Sequence, residues 1–228
     1  MVRTIVYDLL ERLSKAVDLP EPVVEFGAAR AAGQAHLPPL KSLFPGRDFT
    51  GTDMSPGLGV DHLQDLHTLG IRDGSVGTAL LIDTIEHVEH PRRALTELAR
   101  CLKEDGVLLL TSHFFFPIHK FPSDYWRFTA EGIDSLLDGF GRSHAIEAGL
   151  QLFPHTVLGL ASGPEYDEDN WNQLTTIVDA WRKNGASSWK ERAMDWLPPV
   201  LVQHGYERYR AAAVGNPNKS TPSGHEAL

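Results

Sequence analysis

The chain alternates two kinds of apolar pattern, and that alternation limits its fold more than any other feature. Val76 to Ile82 is a largely apolar run that ends at Asp83. A run of that length reads as a central strand buried on both faces. Pro91 then suits a first helical turn, and Ala94, Leu95, Leu98, Ala99 and Leu102 form a stripe at helical spacing. Asp105-Gly106 reads as the close of that helix, and Val107 to Leu110 as another buried strand. Strand, helix and strand in succession predict an α/β fold with a parallel sheet covered by helices on both faces.

The first strand is expected at Val23-Val24, β-branched and apolar, with Pro20 and Pro22 before it to stop a helix from running in. Glu25 puts a carboxylate near the strand's end. Gly27 follows, where the backbone can turn tightly or let a ligand approach. Ligands of doubly wound sheets sit outside the carboxyl ends of the strands, so this acid and glycine point to a nucleoside or amino-acid cofactor. The dinucleotide fingerprint G-x-G-x-x-G is absent: Ala28-Ala-Arg-Ala-Ala32 stands in its place, and the next glycine is Gly33. Taken alone, the segment fits a nucleotide-type site and an ordinary strand-to-loop turn equally well.

Asp48 to Asp53 reads as a second strand ending in a carboxylate. An acid there accepts hydrogen bonds from ribose hydroxyls; the other reading is a turn-forming aspartate in Asp53-Met-Ser-Pro-Gly57. Gly57 to Asp65 reads as a glycine-flanked short strand with a further acid at its end. Beyond the helix and strand already described, Phe114 to Tyr125 is a proline-punctuated, aromatic loop. Thr129 is a plausible N-cap for a helix. Ser143 to Ala148 and Thr156 to Ala161 read as two late strands.

Bulk properties narrow the class. A net charge of −9 argues against nucleic-acid binding, which needs clustered lysine and arginine. One cysteine, Cys101, rules out an intrachain disulfide and a multi-cysteine metal site, and its place in the helical stripe makes it a core residue. Ile5, Val6, Leu9, Leu10, Leu13, Ala16 and Val17 recur at helical spacing with charges between them, an amphipathic helix rather than a signal peptide. The longest apolar stretch, Val107 to Ile118, is broken by Thr111, Ser112 and His113 and is shorter than the roughly 20 residues of a membrane span. A cytoplasmic protein without membrane partners is expected. Residues 1–163 are read as one domain and 164–214 as a helical extension or lid marked by tryptophans. Residues 215–228, rich in Asn, Pro, Ser and Gly, are read as a disordered tail.

Val23-Val-Glu25-Phe-Gly27, Gly51-Thr-Asp53-Met54, Gln64-Asp65-Leu66 and Asp83-Thr-Ile-Glu86-His87-Val88, in this order and at these distances, resemble the class I S-adenosylmethionine-dependent methyltransferases, in particular the bacterial group with a methyltransferase type 11-like domain. Gly33-Gln34, Asp53 to Asp61 and Phe116-Pro-Ile-His-Lys-Phe-Pro-Ser-Asp-Tyr-Trp-Arg-Phe-Thr129 resemble a subgroup carrying much the same strings. The resemblance spans roughly Val23 to Ala161. It implies a doubly wound seven-stranded sheet, mostly parallel, with an antiparallel last strand. It also implies S-adenosyl-L-methionine as cofactor, with Glu25 and Gly27 bordering its methionine and ribose parts. Asp53 would hold the ribose hydroxyls, with Met54 against the adenine. Asp65 would face the adenine amino group and the Leu66 backbone its ring, while Asp83 and Thr84 would line the sulfonium end. The alanines after Gly27 depart from the family's glycine pattern, and Gly33-Gln34 would supply the close approach instead.

Methyl transfer from a sulfonium needs an in-line nucleophile, and a base only when the acceptor is protonated. The expected bases are His119 and His87. His113, Asp124, Tyr125 and Arg127 are expected to bind a small-molecule acceptor, methylated at oxygen, with the aromatic residues from Phe114 to Phe128 forming pocket walls or core. Asp83, Glu86 and His87 share a spacing with the ubiquinone-biosynthesis O-methyltransferases, where it is associated with a divalent ion. Because Glu-His-Val also occurs in metal-independent members, no metal is assigned. Two other readings stand beside the enzyme: a binding or scaffold protein of the same fold that has lost catalysis, and a nicotinamide-dependent oxidoreductase.

Overall fold

In the computed structural model, which describes residues 3–30, 38–119, 122–149 and 153–185, the predicted strands form one seven-stranded sheet in the order β3-β2-β1-β4-β5-β7-β6. The strands are β1 (Val23–Phe26), β2 (Phe49–Asp53), β3 (His62–Leu63), β4 (Val76–Ile82), β5 (Leu102–His113), β6 (Arg142–Gly149) and β7 (Pro154–Ser162). β1 lies parallel to β2 and β4, β2 to β3, and β4 to β5; β7 runs antiparallel to both β5 and β6. The helices are α1 (Thr4–Ala16), α2 (Pro91–Cys101), α3 (Ala130–Leu136) and α4 (Glu168–Gly185).

Side chains alternate across each strand, so the sheet has two cores. On one face, Val23, Leu80, Ile82 and Leu109 pack with Val6, Leu9 and Leu13 of α1 and Leu174 and Val178 of α4. On the other, Val24, Phe26, Leu81, Leu108 and Leu110 pack with Leu95 and Leu98 of α2 and Ile133 of α3. Each fully buried leucine contributes about 1.5–3 kcal/mol, which is why β4 can be buried along its whole length. Cys101 is a free thiol within the second core.

Two local expectations change. The helix stops at Cys101, and Asp105-Gly106 lies inside β5. Leu102 already pairs with Val76, and the register then slips before Val107 pairs with Thr78. Glycine stands on both strands at the slip: a Cβ on Gly106 would lie 2.9 Å from the Gly77 carbonyl oxygen. The strand expected over Gly57 to Asp65 shortens to His62–Leu63, because the preceding loop folds back over β2. A Cβ on Gly51 would lie 2.0 Å from the Gly59 carbonyl oxygen, so the loop can approach only a glycine.

The Thr129 hydroxyl accepts a hydrogen bond from Gly132 N at 3.1 Å and caps α3. In α4, Trp171, Leu174, Val178 and Trp181 recur three and four residues apart and join the α1-side core. Trp189, Trp196 and the expected tail lie outside the described residues. Among the described residues no helix is long and apolar enough to cross a membrane.

Candidate active site

From β1 the chain builds outward through β2 to β3, and from β4 the other way to β5. The switch between β1 and β4 is where a sheet of this kind opens a crevice beyond its carboxyl ends. A cavity of about 240 Å³ lies there, with Glu25, Gly27, Arg30, Asp61 and Ile82 among its walls. Burial pushes the Glu25 carboxyl up to about 8; Arg30 pulls it back and Asp53 adds to the rise. This carboxyl gains most when a cation enters the cavity.

Gly27 has φ +80, and a Cβ there would lie 2.3 Å from Thr84 Oγ1. Thr84 Oγ1 donates to the Ile82 carbonyl oxygen at 2.9 Å, so the ends of β1 and β4 meet on a glycine. Asp53 accepts from Ala29 N at 3.1 Å and from Ser55 N at 2.9 Å. Its carboxylate therefore ties the loop after β1 to the end of β2, the turn-forming role, while keeping lone pairs for further donors. Met54 is exposed beside it. Asp61 accepts from Gly51 N at 2.9 Å and anchors the loop that folds over β2.

Asp65 lies farther out, in a turn, where its carboxylate takes the backbone N–H of His67 at 2.8 Å. That bond, first of several contacts with His67, holds its pKa below the usual range. Leu66 packs against the α2-side core. Gly33 and Gln34 lie outside the described residues.

Asp83 is fully buried at the end of β4, in the left-handed region at φ 46. Arg3 clasps it, Nε to Oδ2 at 3.2 Å and Nη2 to Oδ1 at 2.9 Å, and Thr111 Oγ1 donates to Oδ1 at 2.8 Å. Burial opposes its charge, but Arg3 and then His113 outweigh it and draw the pKa down to about 2. The carboxylate expected at the sulfonium end is thus engaged by the protein.

Past Asp83, the chain makes a 3₁₀ turn over Ile85–His87. Glu86 points inward, fully buried, with Ser112 Oγ donating to Oε2 at 3.0 Å. His113, the last residue of β5, is equally buried, its Nε2 3.8 Å from Glu86 Oε1 and its Nδ1 3.8 Å from Asp83 Oδ1. Burial raises the Glu86 pKa to about 7, with Asp83 adding to the rise, and lowers that of His113, so the imidazole is neutral at neutral pH. Phe116 stacks on His113 with ring centres 4.1 Å apart.

The loop from Phe114 to Thr129 docks on the turn after β4. Tyr125 N donates to the Glu86 carbonyl oxygen at 2.9 Å, and Trp126 Nε1 to that of Val88 at 2.9 Å. Nδ1 of His87 meets the Ser123 carbonyl oxygen, a pure acceptor, so Nδ1 carries the proton and Nε2 the lone pair. Burial lowers the His87 pKa more than that bond raises it. His119 lies with its ring centre 4.7 Å from that of His87 and 5.0 Å from that of His113.

Asp124 and Arg127 bind each other. Arg127 Nη2 donates to Asp124 Oδ2 at 2.8 Å and to the Pro117 carbonyl oxygen at 3.2 Å, and Asp124 Oδ2 also accepts from His119 N at 2.8 Å. They staple the loop to itself. Tyr125 and Trp126 are exposed, whereas Phe128 is buried in the core. Asp83, Glu86 and His87 do not converge as a ligand set: Asp83 faces Arg3, and His87 faces Ser123. Sequence reasoning missed Arg3, which sits at the N-cap of α1 among other surface charges, and it missed the inward convergence of Glu86, His113 and His119. No spacing signal marks either.

Residues 16–110 match a family model described as "Methyltransferase domain". The fold is similar to a chain in the complex between the Haloferax volcanii Trm112 methyltransferase activator and the putative methyltransferase. Identity is 17% and TM-score 0.52, over 71% of this chain and 91% of that one. It is also similar to a Thermotoga maritima structure described as a SAM-dependent methyltransferase, possible histamine N-methyltransferase. There identity is 21% and TM-score 0.50, over 68% of this chain and 88% of that one. A comparison with curated proteins gives no match. The matched segment runs from the end of α1 into β5 and contains the crevice, and the similarity to the two solved structures is one of fold.

Proposed function

We propose that the protein methylates an oxygen of a small-molecule acceptor, with S-adenosylmethionine in the crevice between β1 and β4. The observation that carries the reading is the placement of two sites at one end of the sheet: the Glu25–Gly27 cavity, and beside β4 a half-buried, neutral His87 under an aromatic loop. The residues fit the cofactor. Glu25 offers a partly buried carboxyl on the cavity wall for its ammonium group, Gly27 lets the backbone approach, and Asp53 keeps lone pairs for ribose hydroxyls. Met54, Asp65 and Leu66 stand on the adenine side of this assignment, and Thr84 braces the floor. The cofactor supplies an already activated methyl group.

His87 accepts the acceptor's proton at Nε2, oriented by the bond from Nδ1–H to Ser123. Tyr125 and Trp126, both exposed on the loop, bind the acceptor. The net charge of −9 disfavours a polyanionic acceptor such as nucleic acid.

The test has two parts. S-adenosylhomocysteine should bind the wild type and raise its melting temperature while NAD does not, and Asp53→Ala should weaken that binding about 10- to 150-fold. With a panel of hydroxylated small molecules and labelled cofactor, His87→Gln should lose roughly 10²–10⁴ in turnover with unchanged S-adenosylhomocysteine affinity. Binding without turnover on any acceptor would favour the scaffold reading; binding of NAD alone would overturn the cofactor assignment.

A further inference from the structure

We propose that Glu86, His113 and His119 form a binding site for one divalent transition-metal ion. Glu86 Oε1, both ring nitrogens of His113 and His119 Nε2 are buried without a hydrogen-bond partner among the described residues. Buried polar atoms are nearly always paired in native proteins, and four orphans on three touching side chains mark a place prepared for something else. One ligand atom from each residue lies within 4.8 Å of the other two.

The surrounding bonds leave the right atoms free. Ser112 takes Glu86 Oε2 at 3.0 Å, which leaves Oε1 facing His113 Nε2 at 3.8 Å. His119 Nδ1 lies 3.1 Å from the Pro117 carbonyl oxygen and 3.2 Å from Asp124 Oδ2. Both are acceptors, so Nδ1 carries the proton and the lone pair falls on Nε2, inside the cluster. A metal-binding histidine is commonly oriented by a carbonyl or carboxylate on its other nitrogen. Arg127 in turn holds Asp124.

The donor set decides the class of ion. Two imidazoles and one carboxylate suit Zn²⁺ or Fe²⁺, whereas Mg²⁺ and Ca²⁺ take oxygen ligands. Bonds of about 2.0–2.2 Å put tetrahedral ligands roughly 3.4 Å apart, so the site closes by on the order of 1 Å when filled. Glu86 and His113 stand on the rigid ends of β4 and β5, and His119 stands on the loop. The ion therefore pins the loop from Phe114 to Thr129 to the sheet. The site is independent of the functional reading above, since S-adenosylhomocysteine binding requires none of its ligands.

The experiment is a titration of the full chain, freed of metal by chelation and dialysis, with Zn²⁺ in a calorimeter and with Co²⁺ followed by visible absorption. The expected result is one ion per chain, with the intense visible bands of low-coordinate Co²⁺. His119→Ala, on the half-exposed loop, should lower Zn²⁺ affinity by at least about 100-fold with the circular dichroism of the wild type, and His113→Gln should do the same. His67→Ala, which removes the exposed His67–His90 contact, should leave it unchanged. Absence of Zn²⁺ binding to the wild type overturns the proposal. So does binding that survives His119→Ala and His113→Gln, or binding lost in His67→Ala.

Discussion

Arg3 and Asp83, eighty positions apart, form a forked ion pair with two nitrogen–oxygen contacts of 2.9 and 3.2 Å at the carboxyl end of the central strand. Arg3 also donates to the His155 carbonyl oxygen at 2.7 Å, so one guanidinium joins α1, β4 and β7. The Asp83 side chain is fully buried and that of Arg3 is 17% exposed, which makes this a pair whose loss leaves a charge stranded. Removing one partner of such a pair costs about 3–5 kcal/mol. Arg3→Ala should therefore lower the unfolding free energy by that order in denaturant titrations at pH 7, and Asp83→Asn should rescue part of the loss in the double variant.

The same pair sets an acid limit. Arg3, His113 and Thr111 face Asp83, and its folded pKa of about 2 lies below the ordinary 3.8. A depressed folded pKa gives stability that is present above the unfolded value and lost as pH falls through the folded one. Wild-type stability should fall between about pH 4 and 2, and Arg3→Ala should flatten that part of the curve. Parallel curves for the two proteins would assign the acid transition to other carboxylates.

Glu25 works in the opposite direction. Its folded pKa of about 8 stands above the ordinary 4.5, so its contribution is fully present below 4.5 and is lost as pH rises through 8. Glu25→Gln removes the ionisable group, and its melting temperature relative to that of the wild type should rise from about pH 4.5 to 8 and level off above. The variant should also bind S-adenosylhomocysteine more weakly if Glu25 holds the ammonium group. A pH-independent difference in melting temperature would contradict the assignment of the shift to this carboxyl.

Gly27→Ala should destabilise the chain for two separate reasons. The left-handed backbone costs a side chain about 1–2 kcal/mol, and the new methyl would sit 2.3 Å from Thr84 Oγ1. Combining it with Thr84→Ser, which removes the methyl otherwise 2.5 Å away, should recover only part of the loss. Chemical denaturation of the four proteins checks this.

Arg127→Ala and Tyr125→Phe separate packing from acceptor binding within one loop. Arg127 holds Asp124 and three backbone carbonyls, so its loss should lower the melting temperature and loosen His119. Tyr125 is exposed, so Tyr125→Phe should leave stability within about 0.5 kcal/mol and raise the acceptor's KM. Equal effects of both substitutions on stability would mark Tyr125 as packing.

Local pattern alone placed most of the elements, though not the start of β5 or the length of β3. The all-apolar run of β4, the stripes of α1 and α2, and Thr129 before α3 follow from side-chain period and capping chemistry within a few residues, and the sheet bears them out. Acids at the ends of β1, β2 and β4 were legible for the same reason: Glu25 and Asp53 lie in the last two positions of their strands and Asp83 one position past its own. Only the tertiary structure decided what those acids face. Asp83 meets an arginine from the start of α1, Asp53 meets the loop it was expected to share with a ribose, and Glu86 turns inward to two histidines from β5 and the loop beyond it. These partners come from elements brought together by packing, and sequence period carries no information about contacts between elements so far apart in the chain. Burial, likewise a property of the assembled sheet, is what raises the Glu86 pKa, lowers that of His113 and leaves their inward atoms without hydrogen-bond partners among the described residues.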